Sequence, residues 1–245
     1  MGKILKLSEI ITSSKNIVVF TGAGISVASG IPDFRSANGL YKQESGFNVS
    51  PEEIISNTFF FKHTDMFYQF YKEKMVYESA TFNIAHKFFA DLESLEKNIT
   101  IITQNIDGLH TLAGSKNVLE IHGSIHRNHC LKCNKKYGLN DITKSLGIPH
   151  CDCGGIIKPD VVLYEESLDY NTITKSINKI SDADLLIVVG TSLLVQPAAS
   201  FINYFNGCNL VIINKEKTPY DKYAKVVIND DIIKVIKELN PIIFR

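Results

Sequence analysis

The stretch Ile17-Val18-Val19-Phe20-Thr21-Gly22-Ala23-Gly24-Ile25-Ser26 joins a short, uniformly apolar run to a glycine-rich turn. Apolar, β-branched residues without polar alternation mark a strand covered on both faces, the situation of a central strand in a parallel sheet. Glycines directly after such a strand let the backbone turn tightly and approach a pyrophosphate. The N–H groups of a following helix start would face the same ligand. Val27 stands where the usual G-x-G-x-x-G pattern has its third glycine, so the turn by itself is weak evidence of a dinucleotide site.

Four further runs, at 99–102, 185–189, 210–213 and 225–228, share the character of the first. Helical spacings lie between them. Residues 81–96 carry Phe82, Ala85, Phe88, Phe89, Leu92 and Leu95 three or four apart, and 171–180 and 231–239 are shorter examples. Strands alternating with helices predict an α/β fold with a doubly wound parallel sheet. Two segments break the alternation: 33–78, rich in aromatics, and 124–158, which holds four cysteines. Both read as insertions that form a smaller lobe over the sheet's carboxyl edge. The larger domain then comprises 1–32, 79–123 and 159–245.

The bulk composition limits the function classes. The 245 residues carry 26 Lys+Arg against 26 Asp+Glu, so no net charge draws the chain to nucleic acid or anionic lipid at long range. No apolar run approaches the length of a membrane span, and the start lacks the features of a signal peptide. Five cysteines, four of them clustered, suit a reducing, cytoplasmic compartment and metal thiolates better than a disulfide framework. Cys208, just before an apolar run, is expected to be a buried thiol. The oligomeric state stays open, with a monomer favoured.

Cys130-x-x-Cys133 followed by Cys151-x-Cys153 has the spacing of a four-thiolate zinc site. His150 precedes the second pair, so the ligands are either the four cysteines, which are favoured, or three cysteines and His150. Four protein ligands leave no open position, and such a metal is structural.

Upstream of the cysteines, the strand at 99–102 ends in Thr103-Gln104-Asn105-Ile106-Asp107-Gly108-Leu109-His110. Gln104, Asn105 and Asp107 can donate to and accept from a carboxamide, a ribose or a water at the edge where doubly wound sheets bind ligands. His122, in Leu119-Glu120-Ile121-His122-Gly123, is a candidate general base. Phe34 and Arg35, in Gly30-Ile31-Pro32-Asp33-Phe34-Arg35, offer a ring to cover a planar group and a cation for a pyrophosphate. Gly190-Thr191-Ser192 repeats the small-residue strand end, and Asn214 ends a third strand where a ribose hydroxyl would be read.

These motifs, in this order and across roughly residues 8–240, resemble the sirtuins, NAD-dependent protein-lysine deacylases. The resemblance implies a Rossmann-like NAD-binding domain with an inserted zinc-binding and helical lobe, one structural zinc, and NAD consumed as a co-substrate. By position, Gly22, Ala23, Val27 and Arg35 would serve the dinucleotide, with Phe34 over the nicotinamide side. Gln104 would hold the ribose, Asn105 would position polar groups or water, and Ile106 and Asp107 would bind the carboxamide. Thr191, Ser192, Asn214, Asp231 and Ile232 would face the adenosine half. His122 would be the base and would also border the cofactor. A peptide bearing the acylated lysine would add as a strand between Val161-Val162-Leu163 and Leu193-Leu194-Val195.

In the implied reaction the acyl oxygen attacks C1′ of the nicotinamide ribose and nicotinamide leaves. His122 then takes a proton from the ribose hydroxyls, a ribose oxygen attacks the imidate carbon, and water completes release of lysine and O-acyl-ADP-ribose. Protein ADP-ribosyl transfer is the alternative use of the same cleft. Two departures stand out. Tyr164-Glu165-Glu166 replaces the Phe-Gly-Glu of many members, and Tyr71 stands where members that remove succinyl or malonyl carry an Arg three residues after a Tyr, here Tyr68. Acetyl or another neutral acyl group is therefore expected. Phe59, Phe60, Phe61, Phe67 and Phe70 would either favour longer apolar chains or form a helical core.

Overall fold

The computed structural model describes residues 2–34, 36, 39–42 and 46–245. Among the described residues nine strands run in chain order: β1 (Asn16–Thr21), β2 (Asn98–Thr103), β3 (Val118–Glu120), β4 (Gly123–Cys130), β5 (Lys136–Tyr137), β6 (Ile157–Val161), β7 (Leu185–Val189), β8 (Asn209–Ile213) and β9 (Val226–Ile228). The α-helices are α1 (Gly2–Ser13), α2 (Pro51–Ile54), α3 (Asn57–Lys62), α4 (Thr64–Lys74), α5 (Ile84–Asp91), α6 (Leu109–Leu112), α7 (Leu139–Thr143), α8 (Tyr170–Ser181) and α9 (Ile232–Ile243). Among the described residues no helix is long and apolar enough to cross a membrane.

Six strands form one parallel sheet in the order β3-β2-β1-β7-β8-β9. Successive side chains of a strand point to opposite faces, and here both faces are buried. Ile17, Val19, Leu185, Ile187 and Val189 pack with Leu7 and Ile11 of α1, Phe88 and Phe89 of α5, and Val235 and Ile236 of α9. Val18, Phe20, Leu186 and Val188 pack on the other side with Ile180 of α8 and with Phe201 and Ile202. Two-sided covering is why these strands carry no polar alternation. The chain order reverses between β1 and β7, so the crevice of this doubly wound sheet opens at their carboxyl ends.

The inserted segments share a separate core. Phe59, Phe60, Phe67, Tyr68, Phe70 and Tyr71 from α3 and α4 pack with Ile125, Ile142, Ile157 and Leu163. Phe59, Phe60, Phe67 and Phe70 are therefore core residues, whereas Phe61 faces solvent. The cysteine segment is a small antiparallel sheet, β5-β4-β6. The N–H of Ile125 donates to the Ile106 carbonyl at 3.0 Å, and the Val162 N–H to the His122 carbonyl at 3.0 Å. These bonds tie the small sheet to the carboxyl edge of the large one.

Three expectations are corrected. The helix expected over 81–96 begins only at Ile84, because Asn83 takes an extended backbone and its side chain caps the Ala85 N–H. Phe82 is left before the cap and half-exposed, and the last residues tighten into a 3-10 turn, Leu92–Leu95. The glycine loop leads into two short 3-10 turns, Ala23–Ile25 and Val27–Ser29, rather than the start of an α-helix. Cys208 is exposed, since it sits in the bend just before β8 at the amino edge, outside the covered part of the sheet.

Candidate active site and metal centre

Two backbones meet at the crevice. The Gly22 N–H donates to the Val189 carbonyl at 3.1 Å, and the Gly24 N–H to the Gly190 carbonyl at 2.8 Å. A Cβ on Gly24 would lie 2.8 Å from Gly190 Cα, and one on Gly22 would lie 2.7 Å from Thr191 Cβ. Glycine is required at both places for the turns after β1 and β7 to touch. Val27 lies further along, exposed, on the second 3-10 turn.

The end of β2 crosses this junction. Gln104 Nε2 donates to Thr191 Oγ1 at 3.0 Å, joining two of the sequence candidates. Asn105 is buried; its N–H donates to Thr103 Oγ1 at 3.0 Å and its Nδ2 to Ser26 Oγ at 3.0 Å. The Ser26 hydroxyl donates to Asp107 Oδ2 at 2.7 Å, and Asp107 Oδ1 accepts the Leu109 N–H at 2.9 Å. His86 lies beneath. Its Nδ1 accepts the Asn83 N–H at 3.3 Å, which leaves Nε2 as the donor to Ser26 Oγ at 3.5 Å. Ser26 thus donates once and accepts twice, the full capacity of a hydroxyl. Burial raises the Asp107 pKa above its usual range, and it pushes His86 down to about 4. The buried imidazole is neutral at physiological pH.

His122 follows β3. Its Nδ1 lies 2.9 Å from the Gln104 carbonyl, and a carbonyl only accepts, so the proton sits on Nδ1. Nε2 is then the unprotonated nitrogen, with the lone pair a general base requires. Burial lowers the His122 pKa below the ordinary imidazole value, and the bond to Gln104 opposes the shift. The sequence-predicted Gln104, Asn105, Asp107 and His122 therefore meet at one strand edge with Gly22 and Thr191. Ile106 is half-buried beside them and bonds β4 through its carbonyl.

Phe34 is half-buried with its ring 5.4 Å from that of Tyr41. Arg35 lies outside the described residues. Ala23 and Ser192 are half-buried along the same edge. Asn214 and Asp231 stand at the ends of β8 and β9. Asn214 Nδ2 donates to the Glu216 carbonyl at 2.8 Å, Asp231 caps α9 and pairs with Lys215 at 2.9 Å, and Ile232 is buried.

In the metal centre, the sulfur atoms of Cys130, Cys133, Cys151 and Cys153 lie within 4.8 Å of one another, with closest pairs at 3.5 and 3.6 Å. Zinc–sulfur bonds of about 2.3 Å in a tetrahedron place sulfurs about 3.8 Å apart, so the cluster fits one zinc ion. A Cβ on Gly155 would stand 2.6 Å from Cys130 Sγ, so the chain can wrap the cluster only as glycine there. His150 turns away, its Nδ1 bonding the Ile148 carbonyl at 2.9 Å. The four-cysteine set is the one assembled, and it leaves no position for substrate.

The pattern of the Sir2 family matches residues 22–197. The chain belongs to the Sir2 family. It is 55% identical over 232 residues to an NAD-dependent protein deacetylase of Clostridium tetani, with 94% of each chain covered. Among solved structures, a Sir2 complex with a p53 peptide and NAD+ is 37% identical with a TM-score of 0.85, over 97% of this chain and 98% of that one. A Sir2 complex with an inhibitor, 2′-O-acetyl-ADP-ribose and a deacetylated p53 peptide is 36% identical with a TM-score of 0.85, over 98% and 99%.

Within this Sir2-family chain, the segment Tyr164-Glu165-Glu166 faces the helices of the small lobe. Tyr164 Oη lies 2.7 Å from Tyr41 Oη, and Glu165 takes a left-handed φ of 74° with its carboxylate on the Thr58 N–H. Sequence reasoning assigned no role to Ser26 or His86, although Ser26 links Asn105 to Asp107. A hydroxyl directly after the glycine loop was the available signal; His86 had none beyond its place in an apolar helix.

Proposed function

We propose that this chain removes acetyl, or another neutral acyl group, from lysine side chains of proteins while consuming NAD, with release of nicotinamide and O-acyl-ADP-ribose. The observation that carries the reading is His122, held by the Gln104 carbonyl with Nε2 free at the edge where the polar end of β2 meets the glycine turns. Membership of the Sir2 family and likeness to a deacetylase at 55% identity support it.

NAD supplies the electrophilic ribose carbon and the hydroxyls that take the acyl group. Gly22, Ala23 and Arg35 serve its phosphate side, Val27 borders the cofactor, and Phe34 covers the nicotinamide side. Gln104 orients the ribose. Asp107 and Ile106 hold the carboxamide, and Asn105, fixed through Ser26, positions a polar group or water. Thr191, Ser192, Asn214, Asp231 and Ile232 face the adenosine half. His122 accepts a ribose hydroxyl proton at Nε2. The peptide pairs by its main chain with Val161-Val162-Leu163 on one side and Leu193-Leu194-Val195 on the other. Leu194 is exposed, as such a role requires. Zinc at Cys130, Cys133, Cys151 and Cys153 keeps the small lobe in shape and takes no part in the reaction.

We assign 1–32, 79–123 and 159–245 to the NAD-binding domain and 33–78 with 124–158 to the small lobe, with β6 bridging the two, since it pairs with β4 in the small sheet as far as Val161 before the chain returns to the large domain. The protein is expected to work in the cytoplasm as a monomer, without direct contact to nucleic acid or membrane. Tyr71 is fully buried, and its hydroxyl has no hydrogen-bond partner among the described residues. Tyr68 spends its hydroxyl on the Ile157 carbonyl. A succinyl carboxylate would find no cation from either. Succinylated peptide is expected to react far more slowly than acetylated peptide of the same sequence, and equal rates would refute the preference.

Mass spectrometry of an acetylated peptide incubated with NAD tests the reading. Loss of the acetyl mass with appearance of O-acetyl-ADP-ribose is expected. Addition of ADP-ribose to the peptide would establish transferase activity instead.

A further inference from the structure

We infer that Lys158 and Glu166, with Asn57, form a buried clamp that sets the backbone of 161–164 for the acyl-peptide, which makes Lys158 and Glu166 positioning residues for substrate binding. The inference rests on the reading of that segment as the peptide-pairing strand.

Lysine is almost never fully buried unless it is paired. Lys158, on β6, is only 7% exposed. Its ammonium lies 3.1 Å from Glu166 Oε1 and 3.2 Å from Oε2. It also donates to the Val161 carbonyl at 3.3 Å and the Pro159 carbonyl at 3.4 Å, and it stands 5.8 Å from the centre of the Phe60 ring. Glu166 is equally committed. Besides the ammonium it accepts the Leu163 N–H at 2.9 Å and Asn57 Nδ2 at 2.9 Å. One carboxylate thus gathers donors from β6, from the turn after it and from the start of α3.

The groups fixed in this way flank Val162. Val161 and Leu163 turn their side chains into the small-lobe core, while Val162 is half-exposed and bonds the His122 carbonyl through its N–H. Two backbone bonds clip the same turn to the helices, from Tyr164 N–H to the Ile55 carbonyl at 3.0 Å and from Asn57 N–H to the Tyr164 carbonyl at 2.9 Å. A buried ion pair is often no more stabilising than apolar side chains of the same size. Stability alone does not call for this one. What it supplies is direction, since the ammonium fixes the Val161 carbonyl and the carboxylate fixes the Leu163 N–H. A peptide added as a strand reads main-chain positions, and small misplacements there weaken binding steeply.

The test is steady-state kinetics of the full chain, zinc-loaded, with an acetylated peptide and NAD varied in turn. Lys158→Met and Glu166→Gln are expected to raise the peptide KM by about tenfold, with kcat within about twofold and the NAD KM unchanged. Lys158→Arg, which keeps the charge and its donors, should restore a peptide KM near that of the parent. The double variant Lys158→Met/Glu166→Leu guards against a folding defect. It removes both charges, should stay folded, and should still bind peptide poorly because the Leu163 N–H has lost its acceptor. Folded variants with an unchanged peptide KM would overturn the clamp, as would equal rises in both KM values. A parent protein that consumes no NAD with acetylated peptide would instead refute the underlying reading, and the clamp with it.

Discussion

The carboxyl edge of the large sheet and the cysteine module both concentrate polar residues beside glycines, yet they use them in opposite ways. At the metal centre the four sulfurs converge on one point and Gly155 presses against Cys130, so every donor is committed inward. At the sheet edge Gly24 and Gly190 bring two turns together, and the side chains above them are only partly committed. His122 uses Nδ1 on Gln104 and keeps Nε2 free, whereas Ser26 is saturated in order to hold Asn105 and Asp107. A closed set of ligands builds structure. A half-satisfied set, supported by a saturated one, is what reaction chemistry requires.

That contrast breaks most sharply at His122. Replacing it with Ala should lower turnover by about 100-fold to 10,000-fold, the range for loss of a positioned base. The melting temperature should stay near that of the parent. A variant that remains active would move the chemistry away from the sheet edge. Cys130→Ala, or chelation of the metal, should instead unfold the small lobe, since structural zinc contributes about 10 kcal/mol or more in small metal-dependent folds. Hydrogen exchange would locate the damage, with β4–β6 losing protection and β1, β7 and β8 retaining it. Uniform loss across both sheets would contradict the division.

Smaller effects sharpen the comparison. His86 is held at about 4, below its unfolded value near 6.5, so folding disfavours its charged form. Its stability contribution is present above pH 6.5 and is lost as pH falls toward 4, by up to about 3 kcal/mol. Denaturant titrations over that window should show the decline, to which the neighbouring His110, also lowered by burial, adds in the same direction. A flat profile would mean that the imidazole is not buried neutral. Gly24→Ala should destabilise by about 1–3 kcal/mol, because the new methyl meets Gly190 backbone that cannot give way. It should weaken NAD binding without releasing zinc. Normal NAD affinity would show that close approach of the turns is dispensable.

The large sheet was legible because β1, β2, β7 and β8 are buried on both faces and so read as unbroken apolar runs. The small sheet was not. β4 mixes buried Ile125 and Asn128 with exposed His126 and Arg127, and its register slips between Ser124 and Asn128. Helix α1 carries Ile4, Leu7, Ile10 and Ile11 at helical spacing, and they bury one face of it. The candidate site residues with direct chemical signatures, His122, Gln104 and Asp107, are named in the sequence, as are the four cysteines that converge in the structure. Ser26 and Glu166 stand in motifs without a readable role, and His86 and Lys158 carry no local signal, since their importance lies in partners far apart in sequence, such as Asn57 with Glu166.

The pH dependence of kcat/KM for acetylated peptide tests the central claim most directly. With the proton of His122 fixed on Nδ1 and burial lowering its pKa, the active neutral form should persist below the ordinary imidazole value near 6.5. The account predicts an acid limb that falls below that pH with a slope of one proton, and that disappears into the residual rate of His122→Ala. A limb centred above 6.5, or one unchanged in the variant, would contradict it.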